Sequence, residues 1–203
     1  MRVVQVSENR PLWLNEFATP LGAMRGSADA GGLRFLHWAD AQNKYAAKLL
    51  AQTPPANIRH EDNAVLALLR RELAAYFSGE SACFTAPLSL APHSAFRRRV
   101  WQAVRGVAPG QTCSYAELTA RAGLAANFTR AAANAVGQNA FLLLIPCHRI
   151  IGADGRLTGY HGGLARKQEL LAHEQRCFTA SACAAPPAAH SARAAAEPPL
   201  SAD

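Results

Sequence analysis

Hydrophobic positions recur with a helical period in several stretches. Over residues 64–77, Val65, Leu69, Leu73 and Tyr76 fall on one face; Asp62 or Asn63 is placed to cap the start, and Gly79 lies just past the end. A second helix is predicted after Ser94, whose hydroxyl can cap it, with Phe96, Val100, Trp101 and Val104 on a shared face. Pro109-Gly110 turns the chain. Ser114-Tyr115-Ala116-Glu117 reads as a capping box, in which hydroxyl and carboxylate each satisfy a free N–H group, so a short helix starts after Ser114 and stops near Gly123. Asn127 is placed to cap the next helix and Gly137 to end it. Leu33, Phe35 and Trp38, behind the turn-rich GSADAGG, predict a strand. The continuous apolar run Phe141-Leu142-Leu143-Leu144-Ile145 has strand length and ends at Pro146, so a buried strand is expected there.

These elements divide the chain. Residues 1–90 form one expected domain, PLSLAP around residues 87–92 a linker, and residues 91–176 a second domain. Residues 177–203 are Ala, Pro and Ser without apolar periodicity; they cannot bury enough surface to offset their ordering entropy, and disorder is expected. A chain of 203 residues, half of them hydrophobic and 17% charged, can build two small cores. Arg2, Glu8 and Arg10 interrupt the N-terminus, and no long apolar run follows, so neither a signal peptide nor a membrane span is expected and the cytoplasm is the expected location.

Charge sharpens the division. Residues 1–90 carry nine Lys/Arg against eight Asp/Glu, residues 91–176 eleven against four, and residues 177–203 one against two. The whole net charge of +7 therefore sits in the middle segment, as a polyanion partner such as nucleic acid would require, although solubility alone also accounts for it. The two short helices after Ser114, joined by a glycine-containing turn, are similar to a helix-turn-helix, a pattern that ordinary helical proteins also show. Arg130 followed by Ala131, Ala132 and Ala133 would let a helix lie close against another surface, or reflects helix propensity alone.

The candidate chemistry is at Cys147. Of five cysteines none stands at C-x-x-C spacing, so no zinc site is suggested. Cys147 is followed by His148 and Arg149 as the chain leaves the apolar run. A base or positive charge favours the thiolate, which is the nucleophilic form. Adjacent side chains often diverge, and a buried thiol is commonly a small hydrophobe, so local sequence leaves both readings open.

Pro146-Cys147-His148-Arg149-Ile150-Ile151 resembles the PCHRV motif of the O6-alkylguanine-DNA alkyltransferases, the methylated-DNA–protein-cysteine methyltransferase family. Phe96 through Trp101, Pro109-Gly110, Ser114-Tyr115, Arg130-Ala131, Asn139, Gly159-Tyr160, Gly162-Gly163, Lys167, Leu170-Leu171 and Glu174 stand in the family's order. So, in the first half, do Thr19-Pro20-Leu21-Gly22 and Glu72-Leu73 with Tyr76-Phe77-Ser78-Gly79; the resemblance covers roughly residues 15–175.

The resemblance implies an α+β fold, in which a small ribonuclease-H-like α/β domain precedes a mainly helical domain with a winged-helix-like helix-turn-helix. It implies direct repair of double-stranded DNA containing O6-alkylguanine, with O4-alkylthymine a further candidate, by a monomer that needs no cofactor and no metal. The damaged base is flipped into a pocket, because a thiol cannot reach its target inside a duplex. The implied roles are Cys147 as alkyl acceptor, His148 as its base through a water, Glu174 as the group that orients His148, and Asn139 as a brace for the turn before the nucleophile. Arg130 resembles the arginine that fills the gap left by the base, and Tyr115 the tyrosine that turns the 3′ phosphate. Ala131 and Ala133 would permit close groove approach. The carbonyls of Cys147 and Ile150 would accept from the guanine amine; Tyr160, with His161 beside it, would donate a proton toward the leaving base or pack on the alkyl group. The thioether product has no easy leaving group, so each molecule acts once.

Four stretches depart from the pattern: His93-Ser94-Ala95-Phe96-Arg97 for GT-x-FQ, Ala131-Ala132-Ala133 for AVG, Asn139-Ala140 for Asn-Pro, and His161 where a small residue is common. The alternatives carried are a non-catalytic alkyltransferase-like protein that only binds the lesion, a Cys-His hydrolase, and a transcription regulator.

Overall fold

The structure, a computed structural model, describes residues 11–178. Its first half is built on a four-stranded sheet. Strands β1 (Leu12–Phe17), β2 (Met24–Asp29) and β3 (Gly32–Trp38) form an antiparallel meander, and β4 (Ile58–Arg59) joins β1 in parallel, giving the order β3-β2-β1-β4. The β2–β3 turn is set by the Asp29 carboxylate, which accepts from Gly31 N at 2.8 Å, and by Gly32 at φ +132°. The predicted strand is β3, with Leu33, Phe35, Leu36 and Trp38 fully buried.

Helix α1 (Lys44–Gln52) follows β3, and α2 (Ala64–Ser78) packs on the sheet. Asn63 is the cap of α2, its side chain accepting from Leu66 N at 3.0 Å; Asp62 is engaged by Asn15 and Arg70. The buried stripe is Leu66, Leu69, Leu73 and Tyr76 with Glu72 beside them, shifting the expected face by one residue at its start, and Gly79 ends the helix at φ +81°.

The second half opens with α3 (Ala95–Arg105), capped by Ser94 and buried through Val100, Trp101 and Val104. After β5 (Cys113–Ser114), the capping box forms as expected at the start of α4 (Tyr115–Arg121): Glu117 N donates to Ser114 Oγ at 3.2 Å and Ser114 N to Glu117 Oε2 at 2.7 Å. Gly123, at φ +64°, ends it. Asn127 does not cap the next helix. It lies inside a single 3-10 turn, Ala126–Phe128, that runs into α5 (Thr129–Gly137) without a side-chain cap.

The expected strand over residues 141–145 is not there. Phe141 makes one bridge to Leu36 of β3, through Leu36 N to Ala140 O and Leu142 N to Leu36 O. The chain then turns tightly, with Leu143 at φ +70° and Ile145 N donating to Phe141 O at 2.9 Å. All five side chains are buried because this turn is sunk between the two halves. The unbroken apolar run recorded burial on every side rather than extended backbone.

Cys147–Arg149 form one 3-10 turn, β6 (Ile150–Ile151) pairs in parallel with β5, and α6 (Leu164–Cys177) closes the fold. Two residues of the tail expected from residue 177 are ordered parts of the fold: Cys177 ends α6, and the Phe178 ring lies 5.7 Å from that of Tyr76. The remainder of that stretch lies outside the described residues.

Candidate active site

Cys147 sits at the start of its 3-10 turn, 7% exposed, on the floor of a cavity of about 340 Å³. One wall is α4 and α5, through Tyr115, Ala133, Val136 and Gly137. The opposite wall is the loop carrying Gly159, Tyr160 and His161. Asn139 fixes the floor: its Nδ2 donates to Ile145 O at 2.8 Å and toward Cys147 Sγ at 3.2 Å, while its Oδ1 accepts from Phe141 N at 2.8 Å. One amide thus closes the turn at both ends. Burial pushes the thiol pKa up, with the Asn139 bond and the Lys167 ammonium pulling the other way, so the resting sulfur is a protonated thiol.

His148 follows Cys147 in the same 3-10 turn. His148 is fully buried; its Nε2 meets Glu174 Oε1 at 2.8 Å, and its Nδ1 has no hydrogen-bond partner among the described residues. A carboxylate only accepts, so Nε2 carries the proton and the neutral ring keeps its Nδ1 lone pair free. Burial lowers the His148 pKa, against the raising effect of Glu174, and Arg149 and Lys167 lower it further. Glu174 comes from α6. Burial would raise its pKa, but His148 and Arg149 outweigh burial and hold it well below the carboxylate range. Arg149 grips it through Nε at 2.9 Å and NH2 at 2.8 Å, Gly110 N donates to it at 3.0 Å, and Tyr76 Oη at 2.9 Å.

The remaining expected residues divide by place. Tyr160 lines the cavity, and its hydroxyl accepts from Trp38 Nε1 at 3.4 Å; burial raises its pKa. His161 is exposed at the same wall. Arg130, in the first turn of α5, is exposed outside the cavity. Ala131 lines a separate groove between α3 and α5 with Phe96 and Arg97. Ile150 is buried; its carbonyl accepts from Lys167 Nζ at 2.5 Å, and Cys147 O accepts from Ile150 N.

Sequence reasoning assigned no role to Arg149, Lys167, Tyr76 or Trp38. Lys167 could have been flagged: with Leu170 and Glu174 it forms the buried stripe of α6, and a charge on such a stripe needs partners. Tyr76 and Trp38 look like any core aromatic in the sequence. Among the described residues, no group of three or more His, Cys, Asp or Glu is arranged to hold a metal ion, and no helix is long and apolar enough to cross a membrane.

Residues 17–90 match the family described as 6-O-methylguanine DNA methyltransferase, ribonuclease-like domain, and residues 95–176 its DNA binding domain. The methylated-DNA–protein-cysteine methyltransferase of Salmonella typhimurium is 34% identical over 165 residues, which cover 78% of this chain and 93% of that protein. The chain belongs to the 6-O-methylguanine DNA methyltransferase family. The family member of Mycolicibacterium paratuberculosis is 48% identical over 110 residues, 54% of this chain and 66% of that protein. A crystal structure of the Mycobacterium tuberculosis O6-methylguanine methyltransferase superposes with a TM-score of 0.70 at 30% identity, covering 84% of this chain and 96% of that one. The same protein in complex with DNA gives 0.68 at 32%, covering 81% and 93%. The family's ribonuclease-like unit is thus the sheet with α1 and α2, its DNA-binding unit the helices α3 to α6, and the fold is α+β.

Proposed function

We propose that this chain repairs alkylated duplex DNA by moving the alkyl group from guanine O6 to Cys147. The observation that carries the proposal is a thiol on the floor of an open cavity with a buried imidazole–carboxylate pair beside it. The division of labour follows the expected domains, with residues 91–176 holding DNA and acceptor.

In this reading α5 enters the groove, Arg130 occupies the gap left by the flipped base, and Tyr115 turns the adjoining phosphate. Ala131 and Ala133 keep the helix surface low enough for the approach. The flipped guanine enters between Tyr160 and the α5 wall. The Cys147 thiol passes its proton through a water to His148 Nδ1, and Glu174 stabilises the resulting imidazolium. The thiolate attacks the alkyl carbon in line, the S–C bond forms as the C–O bond breaks, and the released pair stays on the guanine. Tyr160 donates a proton toward that base, and the carbonyls of Cys147 and Ile150 accept from its amine. The thioether does not revert, so one molecule performs one repair. A reducing compartment such as the cytoplasm keeps the thiol available.

The test is duplex carrying O6-[labelled methyl]guanine. The expected result is one label per protein on the peptide holding Cys147, and none on Cys147→Ala. Tight lesion binding without label would instead make the chain a non-catalytic lesion-binding protein, and repeated turnover would make it a hydrolase.

A further inference from the structure

Tyr76 belongs to α2, in the ribonuclease-like half, yet its hydroxyl ends on the carboxylate of the acceptor half. The ring is 1% exposed, wedged among Phe77, Phe84, His173 and Phe178, so the hydroxyl has a fixed direction. It donates to Glu174 Oε1, the same oxygen that receives His148 Nε2. Arg149 NH2 uses that oxygen as well, while Oε2 is held by Arg149 Nε and Gly110 N.

We infer that Tyr76 is a positioning residue for the alkyl transfer, acting through Glu174 to set how strongly that carboxylate supports His148. The inference rests on the alkyl-transfer reading above. Its logic is competition at one acceptor atom. A carboxylate oxygen shared by three donors offers less electron density to each than one shared by two. Without the phenol hydroxyl, Oε1 binds the imidazole N–H more strongly and favours the imidazolium, so His148 holds its proton to higher pH.

Position is not lost with the hydroxyl, because the Arg149 fork and the Gly110 N–H still hold Glu174 on both oxygens. The effect is therefore electronic. The charged and titratable groups around the pair are Cys147, His148 and Arg149 from the 3-10 turn, Lys167 from α6 acting on His148, His173 from α6 against the Tyr76 ring, Tyr160 from the cavity loop, and Tyr76 itself from α2. Of these, Tyr76 comes from the other half of the molecule. The ribonuclease-like half on this view tunes the base, and is not only a support for it.

The experiment measures the single-turnover rate of methyl transfer from O6-methylguanine duplex against pH, at saturating protein. The acid limb of that profile reports the proton on the base that must be free to receive one from the thiol. Tyr76→Phe keeps the ring and removes the donor; its acid-limb midpoint is expected to move up by roughly half a pH unit, a threefold change in the proton affinity of the base. Fluorotyrosine placed at position 76 is a stronger donor and is expected to move the midpoint down. Opposite shifts support the inference. Midpoints that stay with wild type in both variants, whether or not the plateau rate falls, overturn it, because a merely structural role lowers the rate without moving the titration. If Tyr76→Phe does not fold, the fluorotyrosine protein decides alone. Failure of wild type to take up any label would overturn the alkyl-transfer reading instead, so the two failures are distinct.

Discussion

Glu174 stands where two demands on one carboxylate meet. It must stay charged while buried, and it must keep Arg149 neutralised at 5% exposure. Its charge survives because donors surround it; the same donors make it costly to remove. Glu174→Gln preserves shape but leaves the Arg149 guanidinium without a counter-charge, and breaking a buried pair in this way costs about 3–5 kcal/mol. We expect that loss in urea unfolding at neutral pH, together with slower methyl transfer. The pH dependence has a definite sign. The folded pKa lies below the ordinary 4.5, so the stabilisation is complete above about that pH and is lost as pH falls through the depressed value. The gap between wild type and Glu174→Gln should therefore narrow in acid; a gap that widened would show that the carboxylate is not the ionised partner the structure draws.

Three helix starts were legible from the side chain that makes the cap, whereas α1, capped in the same way by Asn43, was not foreseen. Asn63, Ser94 and Ser114 each accept from a backbone N–H three residues on, and the Ser114–Glu117 box is reciprocal. Legibility ended where tertiary contact replaced local chemistry. The turn at residues 141–145 is held by the distant bridge to Leu36 and by Asn139, so its apolar run carried no trace of its shape. The resemblance named Cys147, His148, Glu174 and Asn139, and the structure links Asn139 to Cys147 and His148 to Glu174, whereas the partners contributed by α2 and β3 were not named, because a core aromatic and a hydrogen-bonding one share the same letter. His93 belongs to this second class. It precedes α3 where the family pattern has glycine, and its ring packs 4.8 Å from Tyr45 of α1, 4.7 Å from Trp101 and 5.7 Å from Phe141. Burial, with Arg97 nearby, lowers its pKa from 6.5 to about 4. Below pH 6.5 the unfolded chain takes a proton that the folded one refuses, so stability falls as pH drops toward 4, by on the order of 1.4 kcal/mol per unit for this group. His93→Phe should flatten that slope over the window in urea titrations at successive pH values. His148 and His37 are also lowered by burial and contribute in the same sense, so part of the slope should remain.

The two halves meet along a seam that also forms the outer wall of the cavity. Trp38, at the end of β3, lies fully buried against the loop that carries Tyr160 and Gly162. Arg166 of α6 stacks over the same indole at 4.6 Å and reaches back to both carboxylate oxygens of Asp40, at 2.9 and 2.8 Å, and to Leu21 O. The loop can approach this closely because residue 162 has no side chain: a Cβ there would run into the indole and press on the Tyr160 ring at 2.7 Å. Glycine at this position is thus a statement about the opposite domain, since its φ is not one that demands glycine. The consequence is a coupling that a double-mutant cycle can read. Gly162→Ala in wild type must push the loop or the indole aside, displacing Tyr160 from the cavity, and should both destabilise the protein and slow transfer. Trp38→Ala alone empties a large buried site and should cost about 3–5 kcal/mol. In the Trp38→Ala background the added methyl no longer meets the indole and the Tyr160 ring has space to give way, so Gly162→Ala should cost less there, with a favourable interaction of about 1–3 kcal/mol between the two changes. Strict additivity would mean that the seam yields freely and that the sheet does not set the position of the cavity wall. A coupling of the expected sign, seen in both the unfolding free energy and the transfer rate, would mean that the ribonuclease-like half shapes the space into which the alkylated base must fit.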